Sequence, residues 1–262
     1  MTTLDAIART ILYEGYSLYP YRESSLKNRR RVLFGTLFPS AWASVSDTGD
    51  AFEAAAECLL ESPPASEDQV TVRVEARFLR FDGEEVCVAL PSVSVAELLS
   101  AEVEVAIASS LIGTLKASAV RLGPSVVRLR MAIANHTPAP FDLPRAGAEV
   151  YAFGAAHLVA QVEGDSATFL SLTDPPVALR TMAAECRQTG LWPVLVGTGA
   201  VLASPIILYD QPELAPESVA GDLFDATEIE EILCLRVQTL TEAEKTEIRA
   251  AGLLHLPGDL RL

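Results

Sequence analysis

Between residues 70 and 136 apolar side chains recur at every second position, and this period of two restricts the fold more than any other feature of the chain. TVRVEARFLRFD sets Val72, Val74, Ala76 and Phe78 against Arg73, Glu75 and Arg77, the pattern of a strand with one face in a core and the other in water. EVCVALP, EVEVAIAS, GTLKASAV and SVVRLRMAIAN follow as further strands. In the last of them Val127, Leu129, Met131 and Ile133 alternate with Val126, Arg128, Arg130, Ala132 and Ala134, so the two arginines read as a solvated or salt-bridged face. The region predicts a mainly antiparallel sheet.

Helical signals sit around this body. TTLDAIARTILYEGYSL offers Thr3 as a cap and places Leu4, Ile7, Ala8, Ile11 and Leu12 at helical spacing, with Gly15 and Pro20 ending the run. RVLFGTLFP reads as a short strand before a loop around Trp42, and DAFEAAAECLLES is compatible with helix or strand. NHTPAPFDLPRAGAE is dense in turn formers and marks a subregion boundary near 135–150 within a single domain of 262 residues. Beyond it, HLVAQVEG and ATFLSLTD read as strands joined by a turn at Gly164 and Asp165. DPPVALRTMAAECRQTG reads as a helix stopped at Gly190, and LWPVLVG and AVLASPIILYD as buried strands, Pro205 marking an edge, a bulge or a strand start. TEIEEILCLRVQTL and TEAEKTEIRAAG, the latter with a capping box at Thr241 and Glu244, close the chain as two helices. The expected class is α+β: a mainly antiparallel β body flanked by an N-terminal helix, one internal helix and C-terminal helices.

Half of the residues are hydrophobic, enough for a core, and the net charge is −15. A field of that sign repels phosphate backbones and anionic membranes, so nucleic acid and membrane are not expected partners. No stretch approaches a membrane span and the start lacks a signal-peptide pattern, which predicts a cytoplasmic protein. Cys58, Cys87, Cys186 and Cys234 are scattered among apolar neighbours and read as small buried hydrophobes. His136, His157 and His255 have no metal-site spacing, and Walker, GxGxxG, HExxH and GxSxG motifs are missing. No metal or cofactor is expected.

Two blocks of opposite charge stand out. YEGYSLYPYRESSLKNRRR holds four of the six tyrosines, and within its last ten positions Arg22, Lys27, Arg29, Arg30 and Arg31 supply five of the twenty Lys and Arg residues against the single carboxylate Glu23. From Asp210 to Glu231 the chain carries eight carboxylates and no Lys or Arg. Tyrosine and arginine dominate binding hot spots, and charge complementarity sets partner choice. Tyr13, Tyr16, Tyr19, Tyr21, Arg22, Lys27, Asn28 and Arg29 on one side, with Tyr209, Asp210, Glu217, Asp222, Asp225 and Glu228 on the other, therefore form the candidate site for a protein partner. The two blocks can equally pair within the chain. The alternative is an enzyme or small-anion binder whose Arg22, Lys27 and Arg29 receive a carboxylate or phosphate in a pocket shaped by the tyrosines.

Residues 11–39, ILYEGYSLYPYRESSLKNRRRVLFGTLFP, and 204–245, SPIILYDQPELAPESVAGDLFDATEIEEILCLRVQTLTEAEK, resemble the signature blocks of a protein family encoded beside [NiFe]-hydrogenase structural and maturation genes, the actinobacterial, high-affinity type above all. DPPVALRTMAAECRQTGLWPVLVG is also similar to that family. The chain departs from the family pattern at Val219-Ala220, where the connection is tighter, and at Ala226, where a glycine is frequent. The resemblance implies a non-enzymatic accessory or assembly protein for a hydrogenase, with a hydrogenase subunit or maturation factor as partner. It carries over no catalytic residue.

Overall fold

The computed structural model describes residues 3–13, 33–164 and 166–213. The compact unit formed by residues 1–13 and 33–212 is the body considered below. Its strands are β1 (Glu53–Glu61), β2 (Thr71–Leu79), β3 (Glu85–Ala89), β4 (Val93–Ser94), β5 (Val103–Ala108), β6 (Ile112–Arg121), β7 (Val126–Asn135), β8 (Gly154–Glu163), β9 (Thr168–Leu170), β10 (Trp192–Leu195) and β11 (Ala200–Ser204). They form two antiparallel sheets, β5-β6-β7-β1-β9 and β10-β11-β8-β2-β3, with β4 paired to β2. The chain is α+β and mainly antiparallel, as the alternation predicts.

One hydrophobic cluster draws on both sheets. Ala54, Ala56, Cys58 and Leu60 of β1, Leu115 of β6 and Leu129, Met131 and Ile133 of β7 share it with Val72, Val74, Ala76 and Phe78 of β2 and Leu158 and Ala160 of β8. These are every-second residues along each strand, so the period of two puts one face of each sheet into a common core. Phe78 stacks on Phe153 with centroids 4.2 Å apart, at the point where the chain enters β8. DAFEAAAECLLES resolves as β1, because Ala54, Ala56, Cys58 and Leu60 complete that face between β7 and β9.

The turn-rich stretch 136–150 carries the chain from β7 in one sheet to β8 in the other. Asn135 secures that crossing. Its side chain is fully buried, its Nδ2 donates to the carbonyls of Leu37 (2.9 Å) and Tyr151 (2.8 Å), and its Oδ1 accepts from the Thr137 amide (2.9 Å). Around Trp42 the expected loop is a one-turn helix, α2 (Ser40–Ala43). Trp42 stacks on Phe38 and donates to Leu143 O, while Arg145, at the start of α4 (Arg145–Ala148), lies over Phe38 and grips Asp50 with two nitrogens.

Several local expectations are corrected. Among the described residues of RVLFGTLFP, 33–39, the pairing is an isolated antiparallel bridge, Leu37 to Phe153, and not a strand. HLVAQVEG and ATFLSLTD are strands, as read, but successive in sequence without being neighbours: β8 pairs with β2 and β11, whereas β9 pairs with β1. Alternation reports which residues share a face but not which strand lies alongside. The internal helix is short, a 3₁₀ turn at Val177–Leu179 followed by α5 (Arg180–Glu185). It stops well before Gly190 because Gln188 competes for backbone: its amide brackets Glu57, Nε2 donating to the carbonyl (2.7 Å) and Oε1 accepting from the amide (3.1 Å). Ala55 and Thr189 exchange backbone hydrogen bonds beside it. Pro205 neither starts nor bulges β11 but follows its last residue. Helix α3 (Val95–Ser100) escapes a reading by strand pattern, although its Ser94–Glu97 capping box is visible in the sequence.

Replacing Asn135 with Ala leaves Tyr151 O and the Thr137 amide without their partner, while Leu37 O keeps the Phe153 amide as donor. The loss is expected to be about 2–4 kcal/mol, at roughly 1–3 kcal/mol for each buried group left unsatisfied. Urea denaturation at constant m-value is the measurement.

Candidate functional site

Helix α1 (Thr3–Tyr13) carries the first candidate residue, Tyr13, as its last. Leu4, Ile7, Ala8, Ile11 and Leu12 are buried, so the amphipathic stripe read from sequence does face a core. The surface it covers is the outward face of the second sheet, formed by β2, β8 and β11. Of the three residues expected to face water, Arg73 is exposed as read, whereas Glu75 is buried and Arg77 is partly covered. Glu75 is 4% exposed, and the guanidinium groups of Arg73 (2.6 Å) and Arg77 (2.8 Å) hold its two oxygens. Arg77 also reaches Asp5 of α1 at 2.8 Å. A buried carboxylate is tolerated because it is paired and hydrogen-bonded on both oxygens, and the pairing ties the helix to the sheet.

A cavity of about 330 Å³ opens beside α1, lined by Asp5, Arg9, Leu12, Arg77, Glu85, Val86 and Cys87. Arg9 pairs with Glu85 at 3.0 Å across its mouth. Burial works against the Arg77 charge, but its bonds to Asp5 and Glu75 outweigh this and raise its proton affinity above the ordinary arginine value. The cleft therefore offers guanidinium and carboxylate groups in mutually neutralising pairs over an apolar wall. That lining suits a polar peptide segment of mixed charge better than a free anion.

The thiols divide. Cys58 is buried, as read, and burial pushes its proton affinity up. Cys186 is half-buried just past the end of α5, not on it, and burial with the nearby Glu57 charge pushes its pKa up to about 11. Cys87 lies exposed on β3 rather than buried, its Sγ 3.7 Å from Glu75 Oε2, and partial burial together with that carboxylate raises its pKa. None is poised as a thiolate. Among the described residues no group of three or more His, Cys, Asp or Glu is placed to hold a metal ion.

His157 is the residue that pattern reading passes over. It lies opposite Arg77 on the face covered by α1, is completely buried, engages Ala155 O through Nδ1 at 2.9 Å, and leaves Nε2 without a partner. Burial first, with the Arg77 charge adding to it, lowers its pKa from 6.5 to about 4. A lone histidine at an outward strand position carries no sequence signal that a helix will cover it.

The structure brings together described portions of residues 11–39 and 204–245, outside the charged runs themselves. Leu12 and Leu33, which bracket the tyrosine-rich run, pack in one cluster with Leu79 and Ala155. Gly35, in the segment 11–39, lies against Pro205, in the segment 204–245: a Cβ at Gly35 would stand 2.5 Å from Pro205 Cβ. Tyr209 is 89% exposed, and Ile207 before it is 80% exposed. Asp210 is turned inward, accepting from Ser171 (2.5 Å), Thr173 (2.7 Å) and the Leu195 amide (2.8 Å), so it fastens the chain to β10 instead of facing a partner. Tyr16, Tyr19, Tyr21, Arg22, Lys27, Asn28, Arg29, Glu217, Asp222, Asp225 and Glu228 lie outside the described residues, as do Cys234, His255 and the expected C-terminal helices. No protein-family model matches the chain, and no curated protein matches it.

Gly35 has φ +66° as well as no room for a side chain. Gly35→Ala is expected to cost about 2–4 kcal/mol, combining the left-handed penalty with overpacking against Pro205, and thermal unfolding reads it directly. His157 supplies a pH dependence. Its folded pKa is depressed, so the folded state binds fewer protons, and stability present above pH 6.5 is lost as pH falls toward about 4. A shift of this size is worth about 3 kcal/mol. Denaturant titrations at pH 7 and pH 4 should show that difference shrinking in His157→Gln.

Proposed function

We propose that this chain is a non-enzymatic accessory or assembly protein in [NiFe]-hydrogenase biogenesis, acting in the cytoplasm by binding a protein partner. The partner is a hydrogenase subunit or maturation factor, engaged by the basic, tyrosine-rich block and the acidic block. The observation that carries the reading is the packing of Gly35 against Pro205, which joins the described portions of the two blocks that resemble the hydrogenase-associated family. The exposure of Ile207 and Tyr209 supports it, because large side chains left in water beside a charged stretch are what a docking edge requires. No helix among the described residues is long and apolar enough to cross a membrane.

The test is affinity purification of the tagged protein from its native host while hydrogenase is being made, with Arg22→Glu, Arg29→Glu and Tyr209→Ala alongside. The expected result is co-purification of a hydrogenase subunit or maturation factor, lost in the charge-reversed variants and reduced in Tyr209→Ala. Recovery of the tagged protein free of both kinds of protein would overturn the proposal.

A further inference from the structure

Ala155, His157 and Val159 line the outward face of β8, the face on which α1 packs, and none is more than 1% exposed. Leu12 of α1 lies in one cluster with Ala155. The helix is thus a roof over an imidazole that is only half satisfied: Nδ1 meets the Ala155 carbonyl at 2.9 Å, whereas Nε2 is buried with no partner. Because a carbonyl can only accept, Nδ1 carries the proton of the neutral ring and Nε2 is a bare acceptor. A second proton would bring a charge, and a donor with nothing to receive it, into a site closed to water.

The charges around the ring do not favour that proton. Arg77 of β2 is the register partner of His157, while Glu75 lies opposite Val159 with its two oxygens on Arg73 and Arg77. From α1, Asp5 bonds Arg77 and Arg9 bonds Glu85 of β3. Cys87 of β3 pairs in register with Arg77 and turns its thiol to Glu75. On β8 itself the other ionisable residue, Glu163, is at the far end and bonded to Thr71. Neither β11 nor residues 33–38 carry an ionisable side chain. Among the described residues, a charged His157 therefore meets the Arg77 guanidinium and carboxylates that are already engaged.

We propose that His157 makes α1 an acid-released latch: protonation of the imidazole lifts the helix from the β2, β8 and β11 face while the two-sheet core stays folded. Opening there requires least, because moving one eleven-residue helix brings the ring into water, whereas the other side of β8 belongs to the core shared by both sheets. The acid sensitivity of His157 falls on one element instead of the whole fold. Release uncovers two apolar surfaces together, the Leu4, Ile7, Ile11 and Leu12 stripe of the helix and the Ala155 and Val159 face beneath it. The latch does not rest on the hydrogenase reading.

The test is hydrogen exchange of the intact chain at pH 7 and pH 5, with rates corrected for intrinsic exchange. A ring of pKa about 4 when covered and 6.5 when wet makes opening about 20-fold more frequent at pH 5 than at pH 7. Leu4–Leu12 should lose protection by that factor while β6 and β7 keep theirs. His157→Gln, which cannot titrate, should remove the pH dependence of α1. If that variant fails to fold, the ring carbons of wild-type His157 report by NMR, and should keep the signature of a neutral imidazole at pH 5.5 in the closed molecule. Equal loss across α1 and both sheets, α1 protection indifferent to pH, the same loss in His157→Gln, or a ring that protonates near pH 6.5 beneath a protected helix would each overturn the proposal.

Discussion

Burial of the Glu75 carboxylate beneath α1 is the constraint on which the attachment of that helix to the sheet depends. A charge 4% exposed is sustained only by opposite charges at contact, here Arg73 and Arg77 from its own strand, with Asp5 drawing Arg77 toward the helix. The apolar stripe of α1 supplies adhesion, while the ion pairs supply register, because a helix slid by one turn would leave Arg77 without Asp5. Register in turn fixes where Tyr13 ends the helix, and Leu12 and Leu33 then close the interval between them at one cluster.

Beneath this lies a simpler determinant. The two sheets pack because every second residue on β1, β2, β6, β7 and β8 is apolar, and Asn135 fixes the point at which the chain passes from one sheet to the other. With the inner faces committed to each other, the outer faces become available for different uses. One is covered by α1 over a charge network. The other is partly covered by α5, which packs on Leu59 and Val126, and otherwise carries Arg128, Arg130 and Lys116 among the carboxylates of β1 and β5.

Legibility in the sequence follows from these physics. Strands of β2, β5, β6 and β7 were readable because alternation is local, and α1 because its stripe repeats within eleven residues. The destination of the stripe was not readable, so Glu75 and Arg77 looked as solvent-facing as Arg73, which does stay exposed, when a distant helix covers them. The separation of β8 from β9 and the early stop of α5 depend on partners 100 or so residues away, as with the Gln188 bracket on Glu57 (sequence separation 131). Of the candidate residues, Tyr209 is exposed, whereas Asp210 accepts hydrogen bonds from Ser171, Thr173 and the Leu195 amide of β10. Composition counts carboxylates but cannot say which are already engaged.

Hydrogen exchange of the α1 amides tests the central claim most directly, comparing the wild-type protein with Glu75→Gln. If the buried ion pairs hold the helix, Leu4–Leu12 should lose protection by at least tenfold in the variant while β6 and β7 keep theirs, since local opening need not melt the core. Equal loss of protection across α1 and both sheets, or unchanged protection in α1, would contradict the account.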